Sequence, residues 1–215
     1  MNGVTLPGLQ IIVLAAGFSS RLGRPKALAR VRALSLLRRT LQMAATLRCA
    51  KIIAVVPRNS TRYRAQASGV KVTFIANLQR DRGLSSSVRR GIASARYSPA
   101  VLLMPVDLAN LKARELGRLV RRWQAAPRCV IARRIGQCGV APFGMAPFGA
   151  APLILPRRLY ARALGVVGDV GLRELIAQLP PDGRVLVDMP SAALDIDTPQ
   201  DLKVARQTFR RGTGQ

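Results

Sequence analysis

Residues 11–26 open with an apolar run, Ile-Ile-Val-Leu-Ala-Ala, and then break at Gly17 into a small, polar and basic loop. A continuous run of aliphatic and β-branched residues is typical of a parallel strand buried on both faces. Helical periodicity resumes within residues 33–43, so the order is strand, loop, helix. In open α/β sheets, ligands bind where such loops leave the carboxyl ends of the strands. This stretch therefore predicts an α/β fold with a ligand site in the loop.

The chemistry of this loop suits a polyphosphate. Residues with little or no side chain let backbone N–H groups approach an anion, and the hydroxyls of Ser19 and Ser20 add donors. Arg21 and Lys26 supply two cations. The pattern is neither GxxxxGK[ST] nor GxGxxG. The alternative is that Gly and Ser only turn the chain and that the two cations are solvated, but the strand before the loop favours a phosphate site. The small residues are Ala15, Ala16, Gly17, Ser19 and Gly23.

Carboxylates follow two later apolar segments. The run 100–107 ends on Asp107, and the segment Asp195-Ile196-Asp197 alternates, so that its carboxylates share one face of an extended chain. A lone carboxylate near phosphates is interpreted as a ligand of Mg²⁺, because this ion binds one or two carboxylates together with phosphate oxygens. The alternative for Asp107 is a cap for the helix near Lys112. Paired carboxylates repel unless a cation compensates them, so 195–197 is interpreted as the second set of metal ligands.

A third strand, 70–77, ends at Asn77 and leads through Gly83 into Ser85-Ser-Ser87. These serines could simply cap a helix, or they could turn their hydroxyls toward a nucleotide at the helix start. The sequence leaves both possibilities open.

The remaining segments continue the alternation of strands and helices. Strands are predicted at 51–57, 129–134 and 184–188, and helices at 112–125 and 171–179. The Gly/Pro-rich stretch 136–150 is expected to form a loop or lid. Thr198, Pro199 and Asp201 carry the signals of a helix start, and 210–215 are expected to be a disordered tail after one domain, 1–209.

Composition limits the chemistry. The chain has 35 Lys and Arg against 10 Asp and Glu, no His and three Cys among 215 residues. The missing His excludes His-dependent zinc sites and Ser-His or Cys-His catalysis. The arginines are scattered and no nucleic-acid motif occurs, so nucleic-acid binding is not expected despite the net charge of +25. No signal peptide or membrane-spanning run is found, and we expect a cytoplasmic protein.

Residues 14–26, LAAGFSSRLGRPK, resemble the LAAGxSSRxGxPK signature of the MobA-like nucleotidyltransferases, and most of all their molybdenum cofactor cytidylyltransferase branch. Pro105-Val-Asp107 is similar to the PVDxPL motif, with Ala109 in place of its proline. Residues 195–201 match DIDTPxD, and Gly168-Asp-Val-Gly-Leu-Arg173 resembles GDxGxR. The usual Gly-His-Pro is replaced by Ala150-Ala-Pro152.

The resemblance implies a Rossmann-like three-layer αβα sandwich of the nucleotide-diphospho-sugar transferase type. It implies Mg²⁺-dependent transfer of CMP from CTP to a phosphorylated, molybdopterin-type acceptor, and a molybdoenzyme or its chaperone as recipient of the product. The alternatives are guanylyl transfer, sugar-phosphate nucleotidyl transfer, or a non-catalytic module of the same fold that binds anions or nucleic acid. The implied catalytic residues are Arg21, Lys26 and Asp107, with Asp107, Asp195 and Asp197 as metal ligands. The implied nucleotide-binding residues are Leu14, Ala15, Ala16, Gly17, Ser19, Ser20, Asn77, Gly83, Ser86 and Ser87, and the implied second-substrate residues are Asp169 and Arg173.

Overall fold

The computed structural model describes residues 6–134, 148–165, 167 and 171–211. The strands in this part of the chain are β1 (Leu6–Leu14), β2 (Arg30–Val31), β3 (Leu34–Ser35), β4 (Cys49–Pro57), β5 (Thr73–Asn77), β6 (Ala100–Pro105), β7 (Val130–Arg134), β8 (Phe148–Pro156) and β9 (Arg184–Val187). The α-helices are α1 (Leu36–Ala45), α2 (Thr61–Arg64), α3 (Leu84–Ser94), α4 (Ala113–Ala125), α5 (Tyr160–Leu164), α6 (Gly171–Ala177) and α7 (Pro199–Arg211).

Seven strands form one sheet in the order β5-β4-β1-β6-β8-β7-β9. All of them run parallel except β8, which is antiparallel to both of its neighbours. After β1 the chain first builds outward through β4 and β5, and then returns to the other side of β1 with β6. The carboxyl ends of β1 and β6 therefore flank the point where the strand order reverses, which is where open α/β sheets bind ligands.

Two hydrophobic layers cover the sheet, one on each face. One layer packs α1 and α4 against alternate strand residues such as Ile11, Val13 and Leu102. The other packs α3, α5 and α6 against the intervening residues, including Ile12 and Leu103. This is the predicted three-layer αβα architecture with a mostly parallel sheet, and it is confirmed.

A third, smaller cluster lies beside the sheet and joins distant parts of the sequence. It contains Leu22 from the first loop, Val31 and Leu36 near the β2–β3 hairpin, and Ile196 and Leu202 at the start of α7. Ile196 is fully buried there. The cluster therefore fixes the segment 195–197 against the loop that follows β1.

Several predicted boundaries were wrong in detail. β5 begins at Thr73 rather than residue 70. β8 begins at Phe148, inside the stretch expected to be a loop up to 150, while 135–147 lie outside the described residues. α7 continues to Arg211, two residues into the expected tail. The two strand errors share a cause, because pairing with a neighbouring strand rather than local composition decides where a strand begins.

Gly91 marks a close contact between α3 and the sheet. A Cβ atom at this position would lie 2.5 Å from Cγ2 of the buried Ile12. We expect Gly91→Ala to lower the free energy of unfolding by about 1–3 kcal/mol, because the overpacking outweighs the helix preference of alanine. Urea denaturation measures the change.

Gly117→Ala in α4 is the matched control. Its Cβ would meet only the flexible Arg121 side chain, at 3.4 Å, so it should stabilise the protein by about 0.5–1 kcal/mol. Equal effects of the two substitutions would contradict the packing argument.

Both described cysteines, Cys49 and Cys129, are half-buried and pack against the core. Cys138 lies outside the described residues. Within the described ranges, no helix has the length and apolar character needed to cross a bilayer.

Candidate active site

A cleft of about 470 Å³ lies at the carboxyl ends of β1 and β6. The loop after β1 forms one wall, and the segment between β5 and α3 forms another. Arg21, Lys26, Asp107 and Asp197 line it together. The predicted nucleotide-binding residues that line it are Leu14, Ala15, Ala16, Gly17, Ser19, Ser20, Gly83 and Ser87.

The loop after β1 is held in a defined shape by its own backbone. Ser19 takes a left-handed conformation at φ 58°, which a non-glycine residue rarely adopts, and Gly23 takes another at φ 70°. The Ser19 hydroxyl accepts a hydrogen bond of 2.9 Å from the backbone N–H of Lys26. This bond closes the loop and brings Lys26 back toward the strand that precedes it.

The ammonium group of Lys26 bridges two carboxylates. Its Nζ lies 3.1 Å from Asp107 Oδ2 and 2.6 Å from Asp197 Oδ1. Burial by itself lowers the pKa of Lys26, but the two carboxylates outweigh that effect and leave the pKa above its ordinary value. Lys26 is therefore a permanent positive charge at the centre of the site.

Asp197 also contacts the first loop from its other oxygen. Its Oδ2 lies 2.9 Å from Arg21, whose side chain is 70% exposed. The position of Asp197 follows from the packing of Ile196 and from a hydrogen bond of 3.1 Å that the Ile196 N–H donates to the carbonyl oxygen of Asp107. Asp107, two residues after β6, and Asp197, in the irregular segment before α7, are thereby joined through backbone as well as side chains.

The start of α7 holds this segment rigidly. Asp201 Oδ2 accepts hydrogen bonds from the backbone N–H groups of Asp197 and Thr198, and the Thr198 hydroxyl accepts one from the Asp201 N–H. The Thr198 hydroxyl also donates a hydrogen bond of 2.9 Å to Asp201 Oδ2, and this bond, together with those from the two backbone N–H groups, lowers the pKa of Asp201. The reciprocal cap predicted from Thr198 and Asp201, with Pro199 as the first helical residue, is confirmed.

Asp195 does not contact Lys26, unlike Asp107 and Asp197. It is 3.8 Å from Arg133 and does not line the cleft. Burial of the carboxyl group and the charge of Asp107 raise the pKa of Asp195 to about 6, against the opposing effect of Arg133, although 47% of the side-chain surface is accessible. The described residues contain no cluster of three or more His, Cys, Asp or Glu side chains arranged to hold a metal ion. The predicted set of three carboxylates is therefore present as a pair around Lys26, with Asp195 beside it.

Asn77 and Ser86 do not line the cleft but stabilise the segment between β5 and α3. The Asn77 amide donates hydrogen bonds of 2.8 and 3.0 Å to the hydroxyls of Ser86 and Ser87, and all three residues are buried. The simple capping role considered for Ser85–Ser87 is wrong. Gly83 is the N-cap residue of α3, and this helix start has no side-chain capping hydrogen bond. Asp107 is likewise not the cap of α4, which begins after Lys112 without a side-chain cap. Asn77 thus fixes the start of α3, which presents Gly83 and Ser87 to the cleft.

The prediction for the second substrate is only partly described. Asp169 lies outside the described residues. Arg173 belongs to α6, does not line the cleft, and its buried Nε has no hydrogen-bond partner in the described part of the chain.

Sequence reasoning missed two residues at the cleft, Phe18 and Arg80. The Arg80 guanidinium lies 3.9 Å from the centre of the Phe18 ring, and its Nη2 donates a hydrogen bond of 3.2 Å to the Gly17 carbonyl. Each residue belongs to a loop that the sequence indicates, but no spacing rule predicts that two loops about 60 residues apart will touch.

A larger groove of about 940 Å³ lies between α1 and the start of α4. Its lining shares Pro105 with the cleft but contains none of the predicted site residues. The smaller cleft is the candidate site because the loop, the cations and the carboxylates meet there.

Comparisons with known proteins agree with this geometry. No curated protein matches the sequence. The structure of the Rv0371c protein from Mycobacterium tuberculosis H37Rv is 24% identical, with coverage of 95% of this chain and 100% of that chain and a TM-score of 0.73. The structure of the Rv0371c protein in complex with manganese is 22% identical in sequence. The match covers 94% of this chain and 100% of that chain, with a TM-score of 0.68.

Two further solved structures share the fold. The 2-C-methyl-D-erythritol 4-phosphate cytidylyltransferase from Thermus thermophilus is 22% identical, with coverage of 94% of this chain and 98% of that chain and a TM-score of 0.67. The molybdopterin-guanine dinucleotide biosynthesis protein A from Archaeoglobus fulgidus is 15% identical, with coverage of 94% and 99% and a TM-score of 0.68. At these identities the likeness shows the fold alone.

A family model gives more than the fold. The MobA-like NTP transferase domain matches residues 11–183, which include the loop after β1, the start of α3 and Asp107. Asp195 and Asp197 lie beyond the matched residues, and Asp197 meets them in space through Lys26. The sequence match and the convergent cleft lead to the same conclusion: the chain belongs to the MobA-like NTP transferase domain family.

Proposed function

We propose that this protein transfers CMP from CTP to a phosphorylated acceptor of the molybdopterin type and releases pyrophosphate. The observation that carries the proposal is the convergence of a basic glycine loop, Asp107 and Asp197 on one cleft. Membership of a nucleotidyltransferase family supports the reaction class. The resemblance of residues 14–17 to the cytidylyl branch supports CTP and the pterin acceptor.

The chain's own groups bind and orient the triphosphate in this proposal. Backbone N–H groups from 16–20 and the Ser19 and Ser20 hydroxyls face the phosphates, since these residues line the cleft, whereas the Ala15 N–H is already bonded to the Val55 carbonyl. Arg21 and Lys26 stabilise the charge that develops on the departing pyrophosphate. Gly83 and Ser87, which line the cleft at the start of α3, face the base and ribose. Positioning and electrostatic stabilisation thus carry the reaction.

The donor set of the cleft fits Mg²⁺, which we propose as the cofactor. Asp107 and Asp197 aim their oxygens at one point, where Lys26 now supplies the positive charge. Mg²⁺ takes one or two carboxylates and completes its shell with phosphate oxygens and water, so two carboxylates beside a triphosphate suffice. When bound, the ion would neutralise phosphate charge and align the reacting oxygens. Asp195 is the third candidate ligand, and Lys26 would exchange its carboxylates for phosphate oxygens.

The acceptor needs no activating base in this scheme. A phosphate monoester is ionised near neutral pH and can attack the α-phosphorus directly, which agrees with a sequence that has no His. We place Asp169 and Arg173 on the acceptor side of the reaction. We also propose that 1–209 form one cytoplasmic nucleotidyltransferase domain, and that a molybdoenzyme or its chaperone receives the product.

A substrate panel tests the proposal. The purified protein is mixed with Mg²⁺ or Mn²⁺, one of CTP, GTP, ATP or UTP, and one phosphorylated acceptor: a molybdopterin-type cofactor, 2-C-methyl-D-erythritol 4-phosphate or a sugar phosphate. Pyrophosphate release and the mass of the product are measured. We expect turnover with CTP and the pterin, and little with the other pairs.

Other outcomes of the panel separate the alternatives. Turnover with GTP and the pterin would identify a guanylyltransferase, and turnover with a sugar phosphate would identify a different acceptor class. The absence of thermal stabilisation by every nucleotide would contradict the nucleotidyltransferase proposal as a whole.

A further inference from the structure

The cations that line the cleft differ in how they are neutralised. Lys26 contacts the carboxylates of Asp107 and Asp197, and Arg21 contacts Asp197. Arg80 lines the same cleft but has no carboxylate partner among the described residues. Its charge is therefore available to an anion in the cleft, whereas the other two must first give up their carboxylates.

The position of Arg80 is fixed from two sides. Its guanidinium stacks on the Phe18 ring at 3.9 Å, and its Nη2 donates to the carbonyl oxygen of Gly17 at 3.2 Å. Both partners belong to the loop after β1. Arg80 therefore links the segment before α3 to that loop. A guanidinium held flat against a ring loses little further freedom when it binds a ligand.

Unused donors remain on this side chain. The Nε atom of Arg80 is buried and has no hydrogen-bond partner in the described part of the chain. A guanidinium carries five N–H donors: the contact with Gly17 uses one and the Nε–H is closed off from the cleft, so the remaining Nη donors are the ones that can meet a ligand. Phe18, 57% exposed, shields one face of the group from water. An unpaired cation with free donors at the edge of an anion-binding loop is arranged to receive a phosphate oxygen.

We propose that Arg80 contacts the phosphate chain of the bound nucleotide and that Phe18 holds it in place for that contact. This inference rests on the proposed function and deepens it, because it assigns a nucleotide-binding residue outside the motifs that indicated the site. Arg80 reaches the cleft from the segment before α3, whereas Arg21 belongs to the loop after β1. The nucleotide then lies between the two loops, held by cations from both.

Arg80→Gln tests the assignment, with Arg82→Gln as the matched control. Arg82 is exposed, lies two residues away and does not line the cleft, so its replacement removes the same charge from the same loop. Dissociation constants for CTP, CDP, CMP and cytidine are measured by calorimetry or NMR titration at fixed salt and Mg²⁺. Thermal melting of each variant confirms that the fold is retained.

We expect Arg80→Gln to weaken CTP binding by about 10–100-fold, as for the loss of one charge-assisted hydrogen bond. Cytidine binding should not change, since cytidine has no phosphate. Arg82→Gln should change CTP binding less than about threefold. Arg80→Lys should recover part of the affinity, because it restores the charge but not the planar stack on Phe18.

The results that overturn the inference are distinct. Equal losses for CTP and cytidine would show a contact with the base or ribose instead of the phosphates. Equal losses for Arg80→Gln and Arg82→Gln would show a general effect of charge. Unchanged CTP binding in Arg80→Gln, with normal binding by the unaltered protein, would overturn this inference alone. Failure of the unaltered protein to bind any nucleotide would overturn the proposed function and this inference with it.

Discussion

Asp107→Asn is expected to reduce turnover by about 10²–10³-fold while the protein remains folded. Asparagine has nearly the same shape as aspartate, and the Asp107 carbonyl that accepts from Ile196 belongs to the backbone, so this junction persists. The substitution removes one of the two carboxylates around Lys26 and one of the proposed metal ligands. Pyrophosphate release under saturating CTP measures the loss, and thermal melting reports on the fold.

Asp188→Asn is the control for this change. Asp188 pairs with Arg134 at 2.9 Å but is 75% exposed, and it lies outside the cleft. Its replacement removes the same charge with little expected effect on turnover. A variant at Asp107 that kept more than about half of the activity would contradict the proposed role of this carboxylate.

Lys26→Gln is expected to act in opposite directions on two measurements. Turnover should fall by about 10²-fold or more, because a positive charge on the triphosphate is lost. The affinity of the nucleotide-free protein for a divalent cation should rise, because the ammonium no longer competes for oxygens of Asp107 and Asp197. Titration with Mn²⁺, followed by electron paramagnetic resonance, measures the second effect.

Arg24→Gln provides the comparison within the same loop. Arg24 is exposed and does not line the cleft, so its replacement should leave turnover and Mn²⁺ affinity nearly unchanged. If Lys26→Gln bound Mn²⁺ no better than the unaltered protein, the two carboxylates would not be the ligands that we propose.

The sequence predicted the parts of the site that are local in the chain. Three features have structures that depend only on residues close by in the sequence. They are the apolar run before Gly17, the small residues of the loop, and the capping pattern of Thr198 and Asp201. Asp107 was found for the same reason, because it lies two residues after β6, and its place at the edge where the loop after β1 leaves the sheet follows from the predicted parallel sheet. Asp197 belongs to no strand, and the packing of Ile196 together with its hydrogen bond to the Asp107 carbonyl brings it to the cleft.

What the sequence did not predict depends on contacts between distant segments. Asp107 and Asp197, the partners of Lys26, lie 81 and 171 residues away in the sequence. No sequence pattern predicts that the Lys26 ammonium group will bridge their carboxylates. The hydrogen bonds that the buried Asn77 amide donates to the Ser86 and Ser87 hydroxyls were also not predicted, and they form because a buried amide must satisfy its donors. The start of β8 at Phe148 likewise depends on pairing with β7.

The dependence of the cleft on Ile196 and Asp197 has a consequence for biosynthesis. During translation the basic loop, Asn77 and Asp107 leave the ribosome well before the segment 195–197, whose contacts with residue 26 and residue 107 close the cleft. A nascent or proteolytically shortened chain that lacks this segment leaves the loop without its cover and Lys26 with a single acidic neighbour. We therefore expect a chain that ends before residue 195 to lack the closed cleft and, on the proposed function, to show no turnover.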